Sequence, residues 1–185
     1  MAEEELSLSF LILVLLTLET GLLACGIGKC WKLDIRQFVC TTQRIWTYNT
    51  SASDYIRCKV DQARNFTRTS ICFRRTYFYD EQHRWRARNL EGLFSKQQKD
   101  VMHVRNQGGM FITKEKMLYV NMRYRCAVMK VSQEQFGWEP YFDLRLWDAW
   151  VKQGPHPKCV QQFAKHAPRG KVIYGPLCDN ILHIK

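Results

Sequence analysis

Residues 116–132 read KMLYVNMRYRCAVMKVS. The segment is rich in aromatic and β-branched side chains with partial period-2 alternation, and it divides into two expected strands, 116–124 and 126–132. The same texture returns at 44–50 (RIWTYNT), 55–61 (YIRCKVD), 69–79 (TSICFRRTYFY) and 141–151, with 84–94 as a further strand. Short strands at intervals of roughly ten residues, separated by polar or Gly-containing turns, predict a mainly β chain in which an antiparallel meander closes into a barrel or sandwich. Helices bracket the strands. Asp34 is an N-cap-type residue before Ile35, Phe38 and Val39, which predicts a short helix over 34–41. After the Gly154-Pro155-His156-Pro157 stop, residues 158–167 place Val160, Phe163 and Ala164 on one helical face, which predicts an amphipathic helix packed on a sheet. Residues 171–174 then read as a brief extended tail leading to Cys178.

The composition, 46% hydrophobic and 24% charged over 185 residues, excludes a disordered, collagenous or coiled-coil protein. Eight cysteines without a Cys-x-x-Cys speak against a zinc ribbon or thioredoxin-type centre and for disulfides in an oxidising compartment. Phe10 to Leu18 forms an apolar run too short for the roughly 20 residues of a membrane span, and Gly21, Ala24, Gly26 and Gly28 follow it. That shape is expected of a secretory signal over 1–28, cleaved after Gly26 or Gly28, with one domain over 29–185. Two other readings stay open: a lipidated Cys25 after Leu22-Leu23-Ala24, or a buried N-terminal helix. The four acids of this segment (Glu3, Glu4, Glu5 and Glu19) leave all 28 Lys and Arg in the remainder facing 13 acids.

The order of elements and several local words resemble the tick salivary lipocalins, the histamine-binding protein family. The matching pieces are Asp34-Ile35, Ile45 to Thr50, Cys58-Lys59-Val60-Asp61, Phe73 with Arg75 and Tyr77, Leu90-Glu91-Gly92-Leu93-Phe94, Cys126-Ala127-Val128, Tyr141 to Arg145, Gly154-Pro155 with Pro157-Lys158-Cys159-Val160, and Val172-Ile173-Tyr174 before Cys178. The resemblance implies an eight-stranded antiparallel lipocalin-like barrel, with a short N-terminal helix and one C-terminal helix packed outside, holding a small ligand. It implies a monomer secreted in saliva that sequesters host mediators such as histamine, serotonin or eicosanoids, without cofactor or metal. It also implies the disulfides Cys58–Cys178 and Cys126–Cys159. Cys25, Cys30, Cys40 and Cys72 have no match in that pattern, and Cys40–Cys72 is the candidate third bridge.

In residues 141–147, YFDLRLW, alternation puts Phe142, Leu144 and Leu146 on one face and Asp143, Arg145 and Trp147 on the other. Amine binders of the family carry a Cys-Asp-aliphatic word and a Glu-Leu-aromatic word; here Cys126-Ala127-Val128 and Asp143-Leu144-Arg145 stand in their places. An inward Arg145 would neutralise Asp143 and repel an ammonium ion. With Arg75 it could instead pair a ligand carboxylate, while Trp46, Tyr48, Phe73 and Tyr77 cover an apolar tail, which suits a fatty acid or leukotriene. The alternative is that Asp143 and Arg145 satisfy each other structurally or face solvent, and that the aromatics are ordinary packing.

Asn49-Thr50-Ser51 and Asn65-Phe66-Thr67 are glycosylation sequons. Arg64, Arg68, Arg74, Arg75, Arg84, Arg86 and Arg88 among Phe66, Tyr77, Tyr79 and Trp85 form the densest basic stretch. In a secreted chain this suggests anionic glycans, platelet surfaces or plasma proteins as partners rather than nucleic acid, or else a solvated face that serves solubility. His83, His103, His156, His166 and His183 sit in no recognisable metal or nucleophile motif. The chain is expected to bind rather than catalyse, a ribonuclease using two histidines and a lysine being the enzymatic alternative.

Overall fold

The computed structural model describes residues 33–133 and 139–183; the expected signal at 1–28, together with Cys25 and Cys30, lies outside them. A short helix α1 (Arg36–Val39) leads into eight strands: β1 (Ile45–Thr50), β2 (Ile56–Phe66), β3 (Ser70–Tyr79), β4 (Arg84–Phe94), β5 (Val101–Asn106), β6 (Phe111–Asn121), β7 (Cys126–Gln133) and β8 (Tyr141–Trp147). There follow α2 (Asp148–Val151), α3 (Pro157–Ala164), the two-residue β9 (Lys171–Val172) and a 3-10 segment, Pro176–His183. Consecutive strands pair antiparallel from β2 to β8, β8 pairs β1, and β1 pairs β2. The result is a closed eight-stranded barrel.

Closure at the β1–β2 seam uses the C-terminal tail. The first half of β1 pairs β2 (Ile45 with Asp61, Trp46 with Val60), whereas its second half pairs β9 (Asn49 with Val172, Thr50 with Lys171). Ile173 donates its amide to the Tyr48 carbonyl at 2.9 Å and accepts the Cys58 amide at 2.9 Å. The tail is thus a short stave between β1 and β2. Cys58 there holds a left-handed φ of 53°, unusual for a non-glycine residue, at the point where the β2–β3 register shifts. Its disulfide to Cys178 pins the stave, with the Cα atoms 5.0 Å apart.

Two apolar layers lie on either side of the barrel wall. Inside, α1 caps one end: Ile35, Phe38 and Val39 pack on Ile71, Phe73, Met102, Met117 and Met129, and the Trp147 indole donates to the Phe38 carbonyl at 3.1 Å. Gly92 lies under this layer, where a Cβ would come within 2.3 Å of the Met102 sulfur. Outside, α3 and the tail cover β1, β7 and β8 through Phe163 and Ala167 against Trp46, Val128, Leu144 and Leu146. Burying Phe163 alone contributes about 1.5–3 kcal/mol. The inward face of α3 carries Cys159 and Phe163, while Val160 is 40% exposed, so the expected Val160–Phe163–Ala164 stripe is rotated. The Cys126–Cys159 disulfide fixes that rotation.

Other differences from the sequence reading are local. Residues 141–151 form a strand only as far as Trp147 and then turn into α2. β6 starts at Phe111 and stops at Asn121, whose side-chain oxygen accepts the amides of Arg123 and Tyr124 and so turns the chain. β5 falls where the sequence pattern predicts no strand. Cys40 and Cys72 are free thiols, not a third bridge. Cys40 packs against the inner layer, whereas Cys72 alternates with inward Ile71 and Phe73 and faces outward, so the wall separates them.

Candidate functional site

Midway along the barrel the inward positions change from apolar to charged. β2 supplies Lys59 and Asp61, β3 Arg75, β6 Glu115, and β8 Asp143 and Arg145. The Lys59 ammonium lies 2.8 Å from Asp143, and Arg145 reaches Asp143 at 3.0 Å and Glu115 at 2.6 Å. Arg75 donates to Glu115 at 2.9 Å and, through two nitrogens, to Asp61 at 2.7 Å. Asp61 also lies 3.7 Å from Arg145, so three cations and three carboxylates make a nearly closed ring. Thr50 donates its hydroxyl to Asp143 at 2.8 Å. Glu115 and Asp143 are fully buried and Arg145 is 2% exposed.

Burial by itself would push both carboxyls up. Arg145 and Arg75 more than offset it at Glu115, which ionises well below its ordinary value, and Lys59 and Arg145 do so at Asp143, which ionises below its own. Burial likewise opposes the charge of Lys59, Arg75 and Arg145, and their carboxylate neighbours raise all three above their ordinary values. Such a ring adds little net stability over an apolar filling, but removing one member strands a buried charge.

The ring divides the hollow. Below it, toward α1, Val39, Ile45, Ala63, Ile71, Phe73 and Met102 enclose only about 20 Å³, the room of about one water molecule, under Asp61 and Arg145. Above it lies an open cup of about 270 Å³. Its floor is Lys59, Arg75 and Tyr141, its apolar wall Ile56, Leu90, Val104 and Ile112, and its rim Asp54, Tyr77, Arg88 and Gln133. The Lys59 ammonium sits over the Tyr141 ring, 5.4 Å from the centroid. On the wall, the Thr113 hydroxyl is buried and makes no hydrogen bond to the described residues. Arg88 has no ion pair among them.

The seven barrel-interior candidates separate accordingly. Arg75 and Tyr77 face the cup. Phe73 and Arg145 line the small cavity below the ring, and Asp143 is enclosed within it. Asp143 and Arg145 do point inward, but Glu115 occupies the position between Arg75 and Arg145 that a ligand carboxylate was expected to take. Trp46 and Tyr48 are corrections: both lie outside the barrel, packed against Tyr174 of the tail at 5.1 and 6.0 Å between ring centroids. In β1 the inward residues are instead Ile45 and Thr47, in register with Asp61 and Arg145. Glu115, Arg88 and Thr113 were missed. Glu115 sits in a Lys-Glu-Lys word whose strand was expected to begin at 116; Lys59 and Asp61 were visible as alternate residues of an expected strand.

Of the sequons, Asn65 is exposed near the end of β2. Asn49 lies within β1 between β8 and β9, with its side-chain oxygen buried.

No family model and no curated protein matches the chain. Solved structures do. A serotonin complex of AM182 superposes with a TM-score of 0.58 at 13% identity, over 83% of this chain and 96% of that one. The fold is lipocalin-like. Japanin from Rhipicephalus appendiculatus, bound to cholesterol, gives a lipocalin-type match of 0.53 at 12% identity over 72% and 92% of the two chains. The cockroach allergen Per a 4 gives 0.54 at 10% identity over 84% and 98%. At these identities the lipocalin-like barrel is what is shared. Among the described residues no helix is long and apolar enough to cross a membrane.

Proposed function

We propose that this lipocalin-like chain is a secreted salivary binding protein of the histamine-binding type that captures one small host mediator in its outer cup, and that the mediator is an anionic amphiphile such as a fatty acid or leukotriene. The observation that carries this reading is the pairing state of the charges. Every carboxylate of the ring is neutralised by a cation, so the ring offers no acid to grip an amine, whereas Arg88 at the rim above an apolar wall has no ion pair among the described residues. A carboxylate headgroup would meet Arg88, with its chain along Ile56, Leu90, Val104 and Ile112. The Thr113 hydroxyl offers a further hydrogen bond within the cup. At about 270 Å³ the cup is just smaller than the usual ligand pocket of about 300–1,000 Å³, which suits a single guest partly inserted from the rim. The two disulfides support an extracellular setting. No chemical step is required, since capture depends only on protein concentration and affinity.

Calorimetric titration of the folded protein with arachidonate, a leukotriene, histamine and serotonin tests this. Saturable binding of a carboxylate lipid, weakened about tenfold by Arg88→Ala through loss of a charged hydrogen bond, is the expected result. Tight histamine or serotonin binding that Asp54→Asn abolishes would reverse it, because the rim carboxylate would then be the anchor.

A further inference from the structure

Beyond Leu90, paired with Asn106, and Asn89, whose carbonyl accepts the Gln107 amide at 3.3 Å, the β3–β4 hairpin continues upward, and among the described residues Arg84–Arg88 pair only with β3. Arg84, Arg86 and Arg88 lie six, four and two positions before inward Leu90 and share its face, so all three stand on the concave side of this hairpin. Their cross-strand partners are Tyr79, Tyr77 and Arg75. None of Arg84, Arg86 and Arg88 has an ion pair among the described residues, and Arg88 faces a second arginine directly, an arrangement that is unfavourable by itself. Arg84 Nε and Arg86 Nη2 both donate to Gln82 Oε1, at 2.7 and 2.6 Å. Two guanidinium groups thus converge on one neutral oxygen, where a phosphate oxygen would accept the same bonds with charge assistance. Beside them is a concavity of about 370 Å³ walled by Tyr77, Tyr79, Arg86 and Arg88. It meets the cup at Tyr77 and Arg88.

We propose that this hairpin face is a second binding site, for a nucleoside polyphosphate. The arginines hold the phosphate chain and the tyrosines present ring surface to the base, since base–aromatic stacking tolerates any purine or pyrimidine. Successive guanidiniums leave the strand about 6.7 Å apart, so flexible side chains bring two or three onto one di- or triphosphate. Of the acids nearby, Asp80 pairs with Arg57 at 2.6 Å and Glu81 accepts the Tyr79 hydroxyl at 2.8 Å, while Asp54 stands at the cup rim with Tyr77 and Arg88. The 3-10 turn Asp80–Gln82 closes the far end, which makes this a pocket for a compact anion rather than a track for a long sulfated chain. The inference does not rest on the cup reading.

The test is titration of the full chain with ATP, ADP, adenosine, pyrophosphate and a heparin octasaccharide at low and physiological salt, with arachidonate as a separate probe of the cup. Saturable ATP binding, at least tenfold tighter than pyrophosphate and absent for adenosine, is expected. Arg86→Gln and Arg84→Gln should each weaken ATP about tenfold and leave arachidonate unchanged, because neither side chain lines the cup; Tyr79→Ala should bring ATP down to the pyrophosphate level. Absence of saturable ATP binding, equal affinity for ATP and pyrophosphate, or octasaccharide binding tighter than ATP would each overturn the proposal.

Discussion

Arg145 and Arg86 carry the same group on one continuous sheet, and their surroundings are opposite. Arg145 is enclosed, bonded to Glu115 and Asp143, and almost wholly out of solvent. Arg86 is exposed and, among the described residues, donates to an amide oxygen and makes no ion pair. A buried guanidinium must be neutralised where it stands, because its desolvation is too costly to carry alone. An exposed one can remain unpaired at little cost and is available to a partner. The sequence places both among strand residues with polar neighbours, and only closure of the barrel tells them apart.

The sharpest way to break the comparison is to remove one inner carboxylate. Glu115→Gln leaves Arg75 and Arg145 without their shared partner and should cost about 3–5 kcal/mol in urea unfolding, whereas Arg86→Gln should stay within about 0.5 kcal/mol. Equal effects would mean the ring is not the buried network described above. Next in size, replacing Cys58 and Cys178 together with alanine should lower stability by about 2–5 kcal/mol, with exchange protection lost first along β9 and the adjoining half of β1.

The pH dependence follows from the ring as well. Glu115 ionises well below its ordinary value of 4.5 and Asp143 below its 3.8, so their stabilisation is complete above those values and is lost as pH falls further. Lys59 is raised above 10.5, so its share is present below that value and is lost only as pH rises past its shifted one. Melting temperature should therefore be level between about pH 5 and 10 and fall on both sides, and Glu115→Gln should flatten the acid side. The smallest effect belongs to the cup wall. Thr113→Val removes a buried hydroxyl that bonds to no described residue and should change unfolding free energy by less than about 1 kcal/mol, while weakening any carboxylate guest that uses it.

The extent of a strand was legible from its residue types whether or not its outer face is covered; which side faces the hollow was harder to read. β4 was expected at 84–94 and runs Arg84–Phe94, and β7 was expected at 126–132 and runs Cys126–Gln133. β1 shows the difficulty. Its first three residues are all buried because α3 and the tail cover the outer face, so alternation no longer says which side is the hollow, and Trp46 and Tyr48 were assigned inward. β5 escaped because its VMHVRN carries few of the aromatic residues that marked the other strands. The inward phase of Asp143 and Arg145 was readable from one strand, but their partners were not. Lys59, Arg75 and Glu115 come from three other strands, and the register that joins them exists only in the closed barrel.

The stave formed by β9 also bears on how the protein is made. A nascent chain that has emerged only as far as β8 already holds every hairpin of the meander, yet part of its wall is still missing, because Lys171 to Ile173 fill the seam between the first two strands. Those residues leave the ribosome after nearly everything they must join. Final closure, and the covalent lock at Cys178 that follows, therefore wait until residues 171–178 have been made. An interruption in translation shortly before that point would release a barrel with an open side.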